Sequence, residues 1–404
     1  MARREAKDKE FVAPVPSRPN RQGDSDGSRL PRGFLMVAVA RFLSNVSFRL
    51  VFPFLPLISA GLGVSLATMG GALGARDLTG VVSPALGRAA DRRGHANAMA
   101  AGMAVLAVAL TVQGASGGLV LFTLALIGVS LAKSLFDVGS VAWVSDAVPF
   151  SKRGRAIGFI EMSWALAFVI GMPAAALIIG VTTWRSPFFL AAGACALMAI
   201  TIHARLPRPV RGRVVAAKLT WSRAIGGGVG ALGLMGIAHS VMLVSFAAWL
   251  EDEHALSVSG LGLTAIVIGL AELGGSGGSA SLSDRFGLSR SVQVSLALAV
   301  PASLLVPAGS TSLVVAFAVM AGYFLVVEFA IVAMISLFSE LDRDARGTVI
   351  GVAFAAFTVG HAVGAVLGTQ LYERWGMSVN AVVMAAAFGI ASSLVYVFIG
   401  DPDA

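Results

Sequence analysis

From Gly33 onward, stretches of about 20 or more mostly apolar residues alternate with short polar connectors. A helix of that length crosses the ~30 Å hydrocarbon core of a bilayer. The pattern predicts twelve spans, numbered in order: 33–58, 65–87, 95–115, 118–145, 155–181, 187–205, 225–250, 260–281, 290–309, 312–338, 347–371 and 378–399. Gly114, Gly117 and Gly118 blur the boundary between spans 3 and 4, and Pro301 and Pro307 interrupt span 9. Residues 1–32 are polar, lack an apolar signal-peptide core and read as a disordered cytoplasmic tail. A basic connector, 206–224, separates spans 1–6 from spans 7–12, and 400–404 form a short second tail.

The two sets of six spans are related. Asp91-Arg92-Arg93-Gly94 after span 2 recurs as Asp284-Arg285-Phe286-Gly287 after span 8, a separation of 284 − 91 = 193 residues. Arg153-Gly154 and Arg346-Gly347 repeat at 346 − 153 = 193, and Gly171 and Gly364 at the same interval. Separate landmarks at one period indicate duplication of about half the chain, with units at 33–205 and 225–399.

Composition agrees with a membrane protein: 56% of residues are hydrophobic, 13% are charged, and the mean hydropathy is +0.83. The basic residues set the topology rather than forming a nucleic-acid surface. Of 30 Lys and Arg, 24 lie in the N-terminal tail or at the connectors after even-numbered spans. Arg185 and Arg374 lie on the other side, and four lie within spans. By the positive-inside rule both termini and the 206–224 connector face the cytoplasm. Lone Cys195 excludes an intrachain disulfide.

Two motif matches fail on context. Gly228-Val229-Gly230-Ala231-Leu232-Gly233 fits a dinucleotide fingerprint but sits inside span 7 with no strand before it. Its glycines, with the Gly226/Gly230 pair, suit close helix packing instead. Asn45-Val46-Ser47 fits a glycosylation sequon but lies at membrane depth. No metal-ligand cluster, nucleophile–base grouping or cofactor motif appears, so neither an enzyme nor a cofactor is expected.

Twelve spans in two halves, with Gly87, Asp91, Arg92 and Gly94 in a G-x-x-x-D-R/K-x-G turn after span 2, resemble the major facilitator superfamily. His95 and Ala96 stand where further basic residues often follow in that family. Pro53-Phe54-Leu55-Pro56 and Trp184-Arg185-Ser186-Pro187-Phe188 add to the likeness, which covers 33–399. Gly171-Met172-Pro173 resembles the glycine–proline element of bacterial exporters, with an extra residue between glycine and proline. The arginine and Gln-Gly of drug–proton antiporters are missing from span 4, where only Gly128 matches. The resemblance implies an all-α fold in two pseudo-symmetric halves and a carrier working by alternating access about a central site. Its expected partners are the lipid bilayer, a small-molecule substrate and protons, with the chain acting as a monomer. Export, uptake and a non-transporting sensor stay open.

The candidate site consists of charges at membrane depth, each costing at least ~2.5–3.5 kcal/mol on insertion scales. Arg41, Asn45 and Arg49 follow an i, i+4, i+8 spacing and share one face of span 1. Ser130, Lys133, Asp137 and Ser140 share a face of span 4, while Arg76 and Asp77 point about 100° apart on span 2. Glu272, Glu328, His239 and His361 lie in the second half, which has no intramembrane Lys or Arg. Each acid therefore reaches a first-half cation or is held neutral, and little near Glu328 offsets desolvation. These residues form either a substrate and proton pathway or structural ion pairs. A gate is expected at the repeated turn, where Asp91 and Asp284 could cap the helices opening at Arg346 and Arg153 across the halves. Asp146 could pair with Arg88 or Arg92, and Arg285 would repeat Arg92.

Overall fold

Within hydrocarbon every backbone polar group needs an internal partner, which favours helices for runs this apolar. The computed structural model describes residues 31–207, 220–341 and 346–399, except for the side chains at 84, 91, 93, 150, 151 and 346. All regular secondary structure among these residues is helical. The tail before residue 31, residues 208–219 of the basic connector and residues 400–404 lie outside the described residues.

All twelve expected stretches contain helix, and ten are helices long and apolar enough to cross a membrane. The other two are segmented. Span 1 is helical over Phe34–Arg49, breaks through a turn at 50–54 and resumes at Leu55–Leu62 with Pro56 in its first turn. Pro53 and Pro56 lack N–H donors, and such a residue interrupts a continuous helical ladder. Span 2 consists of Leu66–Leu78, a tight turn of helix at Thr79–Val82 and then Ser83–Arg93. Leu55–Leu62 and Leu66–Val82 meet at 107°. Span 9 runs through Pro301 over Leu288–Leu305 and ends in a tighter turn containing Pro307. In span 5, a wide helical turn at Ala167–Gly171 immediately precedes Pro173 and accommodates its missing donor.

The duplication is visible in the backbone. Gly94 (φ 97°) and Gly287 (φ 82°) end the matching Asp-Arg-x-Gly turns, and 287 − 94 = 193. A side chain is strained at that φ, so both turns need glycine. The turn that joins Thr348–Trp375 to Met377–Phe398 pivots on Gly376 at φ 71°.

The halves meet along two seams, span 2 against span 11 and span 5 against span 8. Small residues allow the close approach. A Cβ on Gly74 would lie 2.9 Å from Val366 and 3.0 Å from the Ala362 carbonyl. One on Gly269 would lie 2.9 Å from the Ala165 carbonyl. The Gly74 contacts lie toward the end of the bundle that carries the 62–66 and 181–186 turns. So does that of Gly262, whose added Cβ would lie 2.7 Å from the Ala176 side chain, while Gly269 and Ala165 meet near mid-span. Within the second half, Gly233 and Gly236 pack on Gly360 and Phe357, so the glycine run of span 7 does serve helix packing. The tightest packing is at these glycines rather than at Gly226 and Gly230.

Candidate functional site

Span 1 supplies the spine of the site. Its helical register puts Arg41, Asn45 and Arg49 on one buried face, where each meets a different set of partners. Arg41 donates to Glu161 Oε1 at 2.7 Å and to Ser140 Oγ at 3.0 Å, and its guanidinium lies 3.0 Å from Asp137 Oδ1. Lys133 donates to Asp137 Oδ2 at 2.5 Å and to Asn45 Oδ1 at 2.8 Å, while the Asn45 amide donates to Ser163 Oγ at 2.9 Å. Spans 1, 4 and 5 thus share a network of two cations and two carboxylates that neutralise one another. The i, i+4 spacing of Lys133 and Asp137 makes that pair local to span 4.

Arg49 reaches the second half. Its two terminal nitrogens lie 2.7 and 2.5 Å from the two oxygens of Glu272, and it also donates to the Trp164 carbonyl at 3.0 Å. The guanidinium lies over the Phe168 ring at 3.5 Å and the Trp164 ring at 4.4 Å. Such fork-on-fork geometry with flanking aromatic faces suits arginine and not lysine.

Arg76 donates to its neighbour Asp77 at 2.8 Å and to the Phe48 carbonyl at 3.3 Å, under the Phe48 ring at 4.1 Å. Although their side chains leave the helix about 100° apart, the two residues pair with each other, and among the described residues no third group bonds to both. The other Asp77 oxygen lies 3.2 Å from His361 Nδ1, and His361 Nε2 lies 2.9 Å from His239 Nδ1. Spans 2, 11 and 7 are joined by this chain, which crosses the halves. In the sequence each of the three is marked only by its mid-span position, which carries no sign of the connection.

The second-half acids separate as the two alternatives allowed. Glu272 finds a first-half cation. Glu328 is half-buried, and its polar partner is the Ser276 hydroxyl, which donates at 2.8 Å. The expectation that little lies near Glu328 is amended by Ser276, four residues from Glu272 on span 8.

At the repeated turn, the Asp91 and Arg346 side chains lie outside the described residues, so the expected cap between them is not seen. Gly87 is half-buried beside Val138, Gly94 makes the turn, and Asp284 and Arg285 are exposed. Arg92 is exposed and Arg153 half-buried, each with polar partners. Asp146 Oδ2 accepts from His95 Nδ1 at 2.9 Å, so the residue where the turn departs from the family pattern binds the end of span 4. Among the described residues no group of His, Cys, Asp and Glu could hold a metal.

The Major Facilitator Superfamily family model matches residues 37–276 and again 228–404. The chain belongs to that superfamily. It is 24% identical over 169 residues to Multidrug resistance protein 2 of Bacillus subtilis, 42% of each chain. It is 29% identical over 108 residues to the Bacillus subtilis MFS-type transporter YwfA, 27% of this chain and 26% of that one. A Probable sugar efflux transporter of Helicobacter acinonychis is 29% identical over 80 residues, 20% of each. The chain therefore spans about a quarter to two-fifths of the first two relatives' length. Among solved structures it is similar to a bacterial homologue of the human lysosomal transporter Spinster in an inward-facing, occupied conformation. That TM-score is 0.76 at 15% identity, covering 92% of this chain and 98% of that one. A mutant form of the nucleoside transporter NupG gives 0.74 at 14%, covering 91% and 98%. At these identities the structural likeness concerns the fold.

Proposed function

We propose that the chain is a secondary transporter, a carrier rather than an enzyme, that exports a small organic molecule across the cell membrane in exchange for protons. Both termini face the cytoplasm, by the distribution of basic residues. The relatives named for multidrug resistance and sugar efflux support the export direction. Close packing of the seams toward one end of the bundle supports alternating access, with the halves meeting on the outer side.

The observation that carries proton coupling is the contrast between Glu272 and Glu328. Every other intramembrane acid among the described residues has a cation against it, whereas Glu328 is held by a hydroxyl. A carboxylate without a counter-ion at membrane depth can gain and lose a proton as its surroundings change. Ser276 keeps it oriented in either state, because a hydroxyl can donate to the carboxylate or accept from the acid.

In proteoliposomes, Glu328→Gln is expected to keep substrate exchange down its own gradient and to lose accumulation driven by a pH gradient. Normal pH-driven accumulation in both Glu328→Gln and Glu272→Gln would remove the support for proton coupling through these acids.

A further inference from the structure

The Asp77–His361–His239 chain has a direction fixed by its chemistry. Asp77 is held by the Arg76 guanidinium at 2.8 Å and is an acceptor when ionised. His361 must then donate from Nδ1 across the 3.2 Å contact, which leaves its Nε2 as acceptor in the neutral ring. His239 in turn donates from Nδ1 across 2.9 Å, so its Nε2 is the open end of the chain. All three residues are buried: His239 is 5% exposed, His361 8% and Asp77 3%.

We propose that this chain is a proton-carrying site whose occupancy holds spans 2 and 11 together. A proton bound at His239 Nε2 releases the Nδ1 proton of that ring to His361 Nε2. His239 is then neutral with its proton on Nε2, and His361 is an imidazolium that donates from Nδ1 to Asp77 and from Nε2 to His239. One proton enters, every hydrogen bond of the chain is retained, and the charge comes to rest beside the carboxylate of the opposite half. Separating span 11 from span 2 removes that opposite-charge contact, so the protonated form favours the closed seam. A ligand shifts a conformational equilibrium only through such a differential interaction.

The groups facing the chain are few. Span 2 gives Arg76 and Asp77. Span 1 gives Arg49, whose charge is committed to Glu272 and which acts on His239 at longer range. Spans 10 and 11 cover His239 with the Phe324 and Phe357 rings, and Tyr323 donates instead to the Ala238 carbonyl. Farther along the same seam, the Glu373 carboxylate accepts from the Ala67 N–H at 2.9 Å. Protonating Glu373 would loosen the seam, which is the opposite sign.

The proposal rests on the carrier reading but does not depend on Glu328. It is tested with nitroxide labels on cysteines at Thr68 and Arg374, both exposed at the outer end of the seam, in a Cys195→Ser background in lipid vesicles. Between about pH 8 and about pH 5, where histidine ordinarily changes charge, the population with a short Thr68–Arg374 distance is expected to grow. The shift is expected to vanish in His361→Asn and His361→Gln and to persist in Glu328→Gln. A parent protein without a pH shift, or with the opposite sign, overturns the proposal without any further variant. So does an unchanged shift in a folded His361 variant, or a shift abolished by Glu328→Gln alone. Loss of pH-driven accumulation in Glu328→Gln bears on the coupling acid and leaves the seam measurement standing by itself.

Discussion

Arg49 and Glu272 face one another across the two halves through a double hydrogen bond, with Arg49 0% and Glu272 1% exposed. Removing one member leaves the other charged in a site built for a pair. Breaking a buried pair in this way costs about 3–5 kcal/mol, while replacing both members is far less costly. Arg49→Met and Glu272→Gln are each expected to lower the thermal unfolding temperature in detergent. The double variant should lose clearly less than the sum of the two. Additive losses would mean the two residues are not energetically coupled.

The charge asymmetry yields a topological prediction. Cys195 is buried against Ser47 at 3.8 Å, a setting that Cys195→Ser should tolerate, giving a cysteine-free protein. A cysteine at Val214 in the central connector should react only from the cytoplasm, and one at Ser257 only from outside. Labelling of Val214→Cys by an impermeant maleimide on intact cells would invert the assignment.

Asp91 occupies the turn that the duplication preserves. Asp91→Asn keeps size and removes charge. The expected outcome is normal insertion with transport slowed at least about tenfold, as for the loss of a charge-assisted contact of ~1.5 kcal/mol or more. An Asp91→Asn protein transporting at the parent rate would reduce the turn to a topological marker.

The spans were legible because apolar runs of membrane length have few alternatives, and the shared face of Lys133 and Asp137 because i, i+4 positions lie together on any helix. The break after Arg49 was marked by Pro53 and Pro56, yet a hydrophobicity pattern merges Phe34–Arg49 and Leu55–Leu62 into one span. Contacts between spans were a different matter. That Glu272 and Glu328 would each reach a first-half cation or be held neutral followed from the lack of intramembrane Lys or Arg in the second half, but which acid met the cation depended on how span 8 rotates against span 1. Asp77 and His361 are 361 − 77 = 284 residues apart, and nothing local to either predicts that they meet. Likewise Ser276 reaches Glu328 only because Gly275 lets span 8 approach the Leu325 carbonyl of span 10.

The glycines of span 2 separate the effect of closing the seam from that of folding the helix. A Cβ added at Gly74 would sit 2.9 Å from Val366 and 3.0 Å from the Ala362 carbonyl, and one at Gly70 would sit 2.7 Å from the Ala365 carbonyl. Backbone cannot move aside as a side-chain tip can, so the halves relieve the crowding by parting along this seam. Gly71, between them, has nothing within 4 Å of the same added atom. All three changes to alanine raise helix propensity by a similar amount, which makes Gly71→Ala the internal control. Crowding a packed contact costs about 1–3 kcal/mol, and each ~1.4 kcal/mol shifts a two-state population tenfold. Gly70→Ala and Gly74→Ala are therefore expected to lengthen the Thr68–Arg374 label distance while the chain stays folded, and Gly71→Ala to leave it unchanged. If Gly71→Ala moved the distance as far as Gly70→Ala, the effect would belong to the helix itself and not to the approach of the two halves.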